Sequence, residues 1–234
     1  MERRDFLRGC ALAGGSVALV KASRSAPNGQ PVKAYPPARL VDRFGDPIKA
    51  AQLVPNRNYL FNYPYTGTPC FLLRLDHAAA AAELVGQDGR PYGWDGGVGP
   101  GRAIVAYSAI CAHKLAYPAR EISFIRFQEQ ASATSRAGVI HCCAEHSIYD
   151  PAAGAKVVGG PAPQPLAAIV LAHDPRSDAL TATGSVGPEQ FDAFFAKYEF
   201  KLGMQFGPGR AQQLVGNATI CQEMTQVCRQ TVQC

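Results

Sequence analysis

Cys142-Cys143-Ala144-Glu145-His146-Ser147-Ile148-Tyr149-Asp150 is the stretch on which the reading of this chain turns. It opens on tandem thiols, reaches an imidazole at His146, and continues into two hydroxyl-bearing side chains, Ser147 and Tyr149. Upstream, Cys111-Ala112-His113 repeats the thiol–imidazole pairing in shorter form. A single histidine is ordinarily a surface or core residue. Two histidines, each beside a cysteine and each in its own turn, make a ligand set for a metal.

The pattern extends downstream to Gly159-Gly160-Pro161-Ala162-Pro163. Cys-x-His, Cys-x-x-His, Ser-x-Tyr-Asp and Gly-Pro-Ala-Pro, in this order, resemble the Rieske iron–sulfur family over residues 103–182, roughly a third of the chain. The resemblance implies a 2Fe–2S cluster in which two histidines replace two cysteines on one iron, with a potential inside a span of roughly −150 to +300 mV. It assigns Cys111 and one of Cys142 and Cys143 to the inner iron, and His113 and His146 to the outer iron. It also implies that Ser147 and Tyr149 donate hydrogen bonds to cluster sulfur, and that Pro161 and Pro163 belong to a loop covering the cluster.

The second box departs from the family pattern, Cys-Pro-x-His-Gly-Ser-x-Tyr-Asp. Counting back from Ser147, Tyr149 and Asp150 without a gap puts the ligands at Cys142 and Glu145. Counting back from His146 puts the thiolate at Cys143; a longer spacing pairs Cys142 with His146. A carboxylate is a harder ligand that would change the character of the site. Cys143 with His146 is the favoured set, with Cys142 as the alternative to Cys143. His141, ahead of the tandem cysteines, fits a strand. The disulfide that ties the two boxes together in many high-potential Rieske proteins would need a cysteine at Ala116, and cannot form there.

The chain's start, Glu2-Arg3-Arg4-Asp5-Phe6-Leu7-Arg8 followed by an apolar run over 9–20, resembles a twin-arginine export signal. Its 12 apolar residues fall short of the roughly 20 that span a bilayer. Residues 1–22 are therefore expected to be a signal peptide or an uncleaved membrane anchor, which implies the periplasm of a Gram-negative bacterium. The formal charge of +5 falls to +3 beyond residue 22, too mild for a nucleic-acid partner.

Residues 23–38, with Pro27, Pro31, Pro36 and Pro37, read as an extended linker. Strand-like runs at 59–63, 70–75, 103–107, 121–127, 139–142, 156–158, 167–173 and 180–183 lie between Gly/Pro turns. They predict an all-β domain over 39–200, a sandwich or small antiparallel barrel with a cluster-binding subdomain. Short peripheral helices are expected at 77–85, capped by Asp76, and at 188–198. The glycine-rich 86–102 reads as a flexible loop, and the long stretch between the boxes as an added hairpin.

The 201–234 extension carries Cys221, Cys228 and Cys234; with Cys70 these are candidates for disulfides, Cys221 to Cys228 or Cys234 to Cys70. No hydrolytic or covalent-haem motif is present. A Rieske oxygenase would need a second iron site, yet only His173 follows His146. The expected role is electron transfer between redox protein partners, from a quinol or an oxidase catalytic subunit to a cytochrome. The alternatives are the Rieske subunit of a membrane cytochrome bc-type complex, a structural zinc protein, and a cluster-less Rieske-like binding protein.

Overall fold

The computed structural model describes residues 32–234, so the signal and most of the linker expected from the sequence lie outside it. The chain enters through β1 (Lys33–Val41), which takes the end of the expected linker into a sheet. Its register slips between Ala34 and Ala38, where Pro36 and Pro37 have no N–H to give the ladder. β2 (Tyr59–Asn62) and β3 (Pro69–Arg74) follow as an antiparallel pair.

The next segment corrects the expected helix at 77–85. Residues Ala82–Val85 form β4, paired with β5 (Pro91–Trp94). Asp76 bonds the neighbouring His77 ring rather than capping a helix. The alanines favour a helix, but tertiary packing overrides such propensity, and the hairpin buries Leu84, Tyr92 and Trp94 in the core. It also gives structure to part of the expected glycine-rich loop.

β6 (Ile104–Ser108) returns alongside β3. Between the boxes lie β7 (Ile122–Ser123) and β8 (Ile125–Gln128), where the sequence reads as one run. Ser123 splits it: its hydroxyl donates to the Ile125 carbonyl at 2.7 Å and breaks the ladder. β8 joins β9 (Val139–Cys142), β10 (Ser147–Asp150) and β11 (Lys156–Gly159) in a four-stranded antiparallel sheet. This is the subdomain that carries the second box.

β12 (Ala168–Asp174) and β13 (Ala179–Val186) lead into α1 (Phe191–Phe206). The helix buries Phe191, Phe194, Phe195 and Leu202, a helical spacing, against Ile110 and Tyr117 beside the first box. It is longer than the sequence predicts, and ends where the Gly207 N–H meets the Gly203 carbonyl at 2.9 Å.

The C-terminal segment completes the main sheet. β14 (Ala218–Ile220) runs parallel to β1, and β15 (Gln222–Glu223) runs antiparallel to β2. Only Cys221 separates them, so one short segment bridges both edges of the eight-stranded sheet β14-β1-β13-β12-β6-β3-β2-β15. The result is a nearly closed barrel, which removes its exposed edges. A single-turn helix, α2 (Met224–Val227), and β16 (Gln230–Thr231) carry the tail across to β7.

Alternation along the barrel strands sorts two cores. Leu72, Ile104, Ala106, Leu171 and Leu180 fill the interior. Phe71, Leu73, Val105 and Tyr107 face outward and are covered by the second-box subdomain and the β4–β5 hairpin. Central strands buried on both faces explain the unbroken apolar run in β3. Among the described residues no helix is long and apolar enough to cross a membrane.

Candidate metal centre

The first box is a tight turn after β6. The Cys111 N–H donates to the Ala116 carbonyl at 2.8 Å, and the Leu115 N–H donates to the Cys111 carbonyl at 2.9 Å. The turn aims the N–H groups of His113 and Lys114 at the Cys111 sulfur. The second box is the turn of the β9–β10 hairpin, in which Cys142 pairs with Ser147, and Ile140 with Tyr149. Here the N–H groups of Ala144 and Glu145 aim at the Cys142 sulfur. Each thiol thus receives donors from the residues two and three positions ahead of it.

The two cradles face each other. Cys111 and Cys142 are both buried and close enough for each to act on the other's protonation. Tyr149 joins them: its hydroxyl accepts from the Ala112 N–H at 3.1 Å and lies 3.3 Å from the Cys111 Sγ. Hydrogen bonds from Cys142 and then Tyr149 pull Cys111 down to about 5, against the opposing cost of burial. The same contact with Cys111, together with burial, pushes Cys142 up. Burial likewise raises Tyr149, which remains a donor. The pair sheds one proton readily and holds the other.

Next to the thiols, His113 Nδ1 and Glu145 Oε2 approach to 3.5 Å, with side chains 20% and 51% exposed. α1 braces this lip from outside. Gln190 Nε2 donates to the Ala112 carbonyl at 3.3 Å, and Lys197 Nζ to the Lys114 carbonyl at 2.6 Å.

The favoured pair Cys143 and His146 is not brought to this place. Cys143 is disulfide-bonded to Cys234, so Cys142 is the thiol of the second box that faces Cys111. His146 is exposed, and its Nδ1 lies 3.2 Å from His141 Nε2. The reason is strand register: side chains alternate across a strand, so a one-residue slip reverses every side chain. Burying Ile140, Cys142 and Tyr149 in one core places Cys143 in the turn beyond it. The other expected disulfides are absent as well: Cys70, Cys221 and Cys228 are buried free thiols.

No protein-family model matches the chain. It is similar to the soluble domain of Rieske protein II (soxF) from Sulfolobus acidocaldarius, with 31% identity over 55% of this chain and 68% of that one, at a TM-score of 0.42. The chain belongs to the Rieske protein family. In the Rieske pattern a glycine follows the ligand of the second box, and the gap-free register puts His146 there. His146 adopts the left-handed conformation that favours glycine, with φ +59°.

The inner half of the site fits an iron–sulfur cluster of the Rieske kind. Ser147 Oγ is buried and has no hydrogen-bond partner among the described residues. A buried hydroxyl without an acceptor is costly, and cluster sulfide would supply one. The proline loop abuts the second box through Gly160, where a Cβ would lie 2.0 Å from the His146 carbonyl oxygen. Pro161 and Pro163 are exposed, while Ala162 packs on the core.

A second group, His141 with Cys143 and Cys234, gathers its ligand atoms within 4.8 Å. Both sulfurs are already bonded to each other. Sequence reasoning reached Glu145 through the gap-free count and set it aside on ligand hardness; it did not reach the Cys143 to Cys234 bond, for which spacing carries no signal.

Proposed function

We propose that this Rieske protein is a periplasmic electron-transfer protein that holds a 2Fe–2S cluster. In this reading it relays single electrons from a quinol or an oxidase catalytic subunit to a cytochrome. The observation that carries the reading is the buried Cys111 and Cys142 pair. Its four inward N–H groups, the Tyr149 hydroxyl and the orphaned Ser147 hydroxyl all suit a negatively charged sulfur-rich group.

Cys111 and Cys142 would hold one iron as thiolates and His113 the other, through the Nδ1 that faces Glu145. The bound cluster supplies one reversible electron. The chain's residues tune and place that electron. N–H and hydroxyl donors at the sulfurs favour the reduced state, and packing over Ile125, Phe127 and Ile140 excludes water from the inner side. The partly exposed His113 edge supports electron exchange with a docked protein. The Cys143 to Cys234 disulfide supports an oxidising compartment.

The test is purification of the full-length protein, followed by iron and sulfide analysis and the visible and EPR spectra of the reduced form. A rhombic signal with low average g supports the relay. Stoichiometric zinc, or no metal, overturns it in favour of a structural or binding role.

A further inference from the structure

We infer that Glu145 is the fourth protein ligand of the cluster, a carboxylate where Rieske proteins use their second histidine. The inference rests on the reading above that a cluster is bound.

Three independent features of the second box converge on it. The hairpin places Glu145 three residues beyond Cys142, and its own N–H is one of the two that point at the Cys142 sulfur. Its carboxylate then turns toward the other box, so that Oε2 lies 3.5 Å from His113 Nδ1. These two side chains belong to separate boxes and stand beside the paired thiols, which is where donors for a second metal ion must converge.

His146 is held away from that lip. Its left-handed backbone reverses the chain, and its carbonyl lies where a side chain on Gly160 would be. Its ring stacks at a tilt on His141, with centroids 5.3 Å apart and Nδ1 against Nε2 at 3.2 Å. His141 in turn contacts Cys234, with Nδ1 3.4 Å from the sulfur. His146 thus belongs to the disulfide side of the hairpin.

The chemistry is sound for iron. Carboxylate joins imidazole in many non-haem iron sites, and the outer iron of a Rieske cluster is the one without thiolate ligands. An anionic carboxylate in place of a neutral imidazole adds one negative charge. That charge stabilises the oxidised cluster and lowers the potential relative to a two-histidine centre.

Pulsed EPR of the reduced, cluster-loaded full chain counts strongly coupled nitrogen nuclei. The inference expects one such nitrogen in the wild type and in H146A. In E145H it expects a second nitrogen and a higher potential. Two nitrogens in the wild type, falling to one in H146A, overturn the inference while leaving the electron-transfer reading intact. So does an E145A protein whose spectrum and potential match the wild type. If E145H fails to assemble a cluster, the wild-type and H146A counts still decide. A wild-type preparation without any iron–sulfur signal overturns both readings.

Discussion

Cys143 and Cys234 are joined across a sequence separation of 91 residues, with Cα atoms 5.6 Å apart. The bond ties the turn of the second box to the end of the tail. Around it, β16 lies parallel to β7, and the Val232 N–H donates to the Ser123 carbonyl at 2.9 Å. Arg126 holds Val232 and Gln233 through its guanidinium. Many Rieske proteins tie their two boxes to each other; here the second box is tied to the C-terminus.

Cutting this staple should cost stability. Closing so long a loop is worth up to about 4–5 kcal/mol in chain entropy, and removal of native disulfides typically costs about 2–5 kcal/mol. C234S is expected to lower the melting temperature by several degrees. Reductant should lower the wild type to the same value and leave C234S unmoved. Equal melting of wild type and C234S would falsify the staple.

The tandem cysteines should separate cleanly. C142S removes a thiol from the buried pair and is expected to abolish cluster assembly, measured as bound iron and sulfide. C143S removes only the staple and is expected to keep the cluster while freeing the Cys234 thiol for alkylation. The reverse outcome would restore Cys143 as the ligand.

Tyr149 should set the potential. Y149F deletes the hydroxyl 3.3 Å from the Cys111 sulfur and leaves the Ala112 N–H without its partner. A hydrogen bond to a charged group contributes about 1.5–3 kcal/mol. For a one-electron couple, each 1.4 kcal/mol lost selectively from the reduced state lowers the potential by about 59 mV. Protein-film voltammetry of Y149F should show a fall of that order, and S147A a fall in the same direction.

In the metal-free protein the thiol pair should make stability depend on pH. Hydrogen bonding from Cys142 lowers Cys111 to about 5 in the fold, below the ordinary thiol range of about 8.5. That contribution is fully present above the ordinary thiol value and lost as pH falls toward 5. Cys142 is shifted the other way, so its contribution is present below the ordinary value and lost at higher pH. Urea melts of metal-free protein should therefore show greatest stability near pH 8–9 and a decline on either side, with thiolate absorbance showing one equivalent through neutral pH. A flat profile in C111A would assign the effect to the pair.

Much of the barrel was legible because its signals are local. Short apolar runs between Gly and Pro turns marked β2, β3, β6, β12 and β13, and also β9 of the second-box sheet. The aromatic spacing of Phe191, Phe194 and Phe195 marked α1. The segment at 77–85 misled because helix propensity is weak and pairing with β5 buries Leu84. The segment 218–223 held no signal strong enough to mark it as a strand. It becomes one through its position between the two edges left open by β1 and β2.

At the site, the sequence alone marked two thiol-bearing turns and a proline loop as parts of one candidate centre, since those motifs fix residue types and spacing within single turns. Which thiol of the second box faces Cys111 was decided by tertiary structure. Adjacent residues at a hairpin turn leave in opposite directions, and only the core that buries Cys142 with Tyr149 selects between them. The partner of Cys143 lies 91 residues away, a distance over which chain spacing says nothing and the packing of the tail on β7 decides.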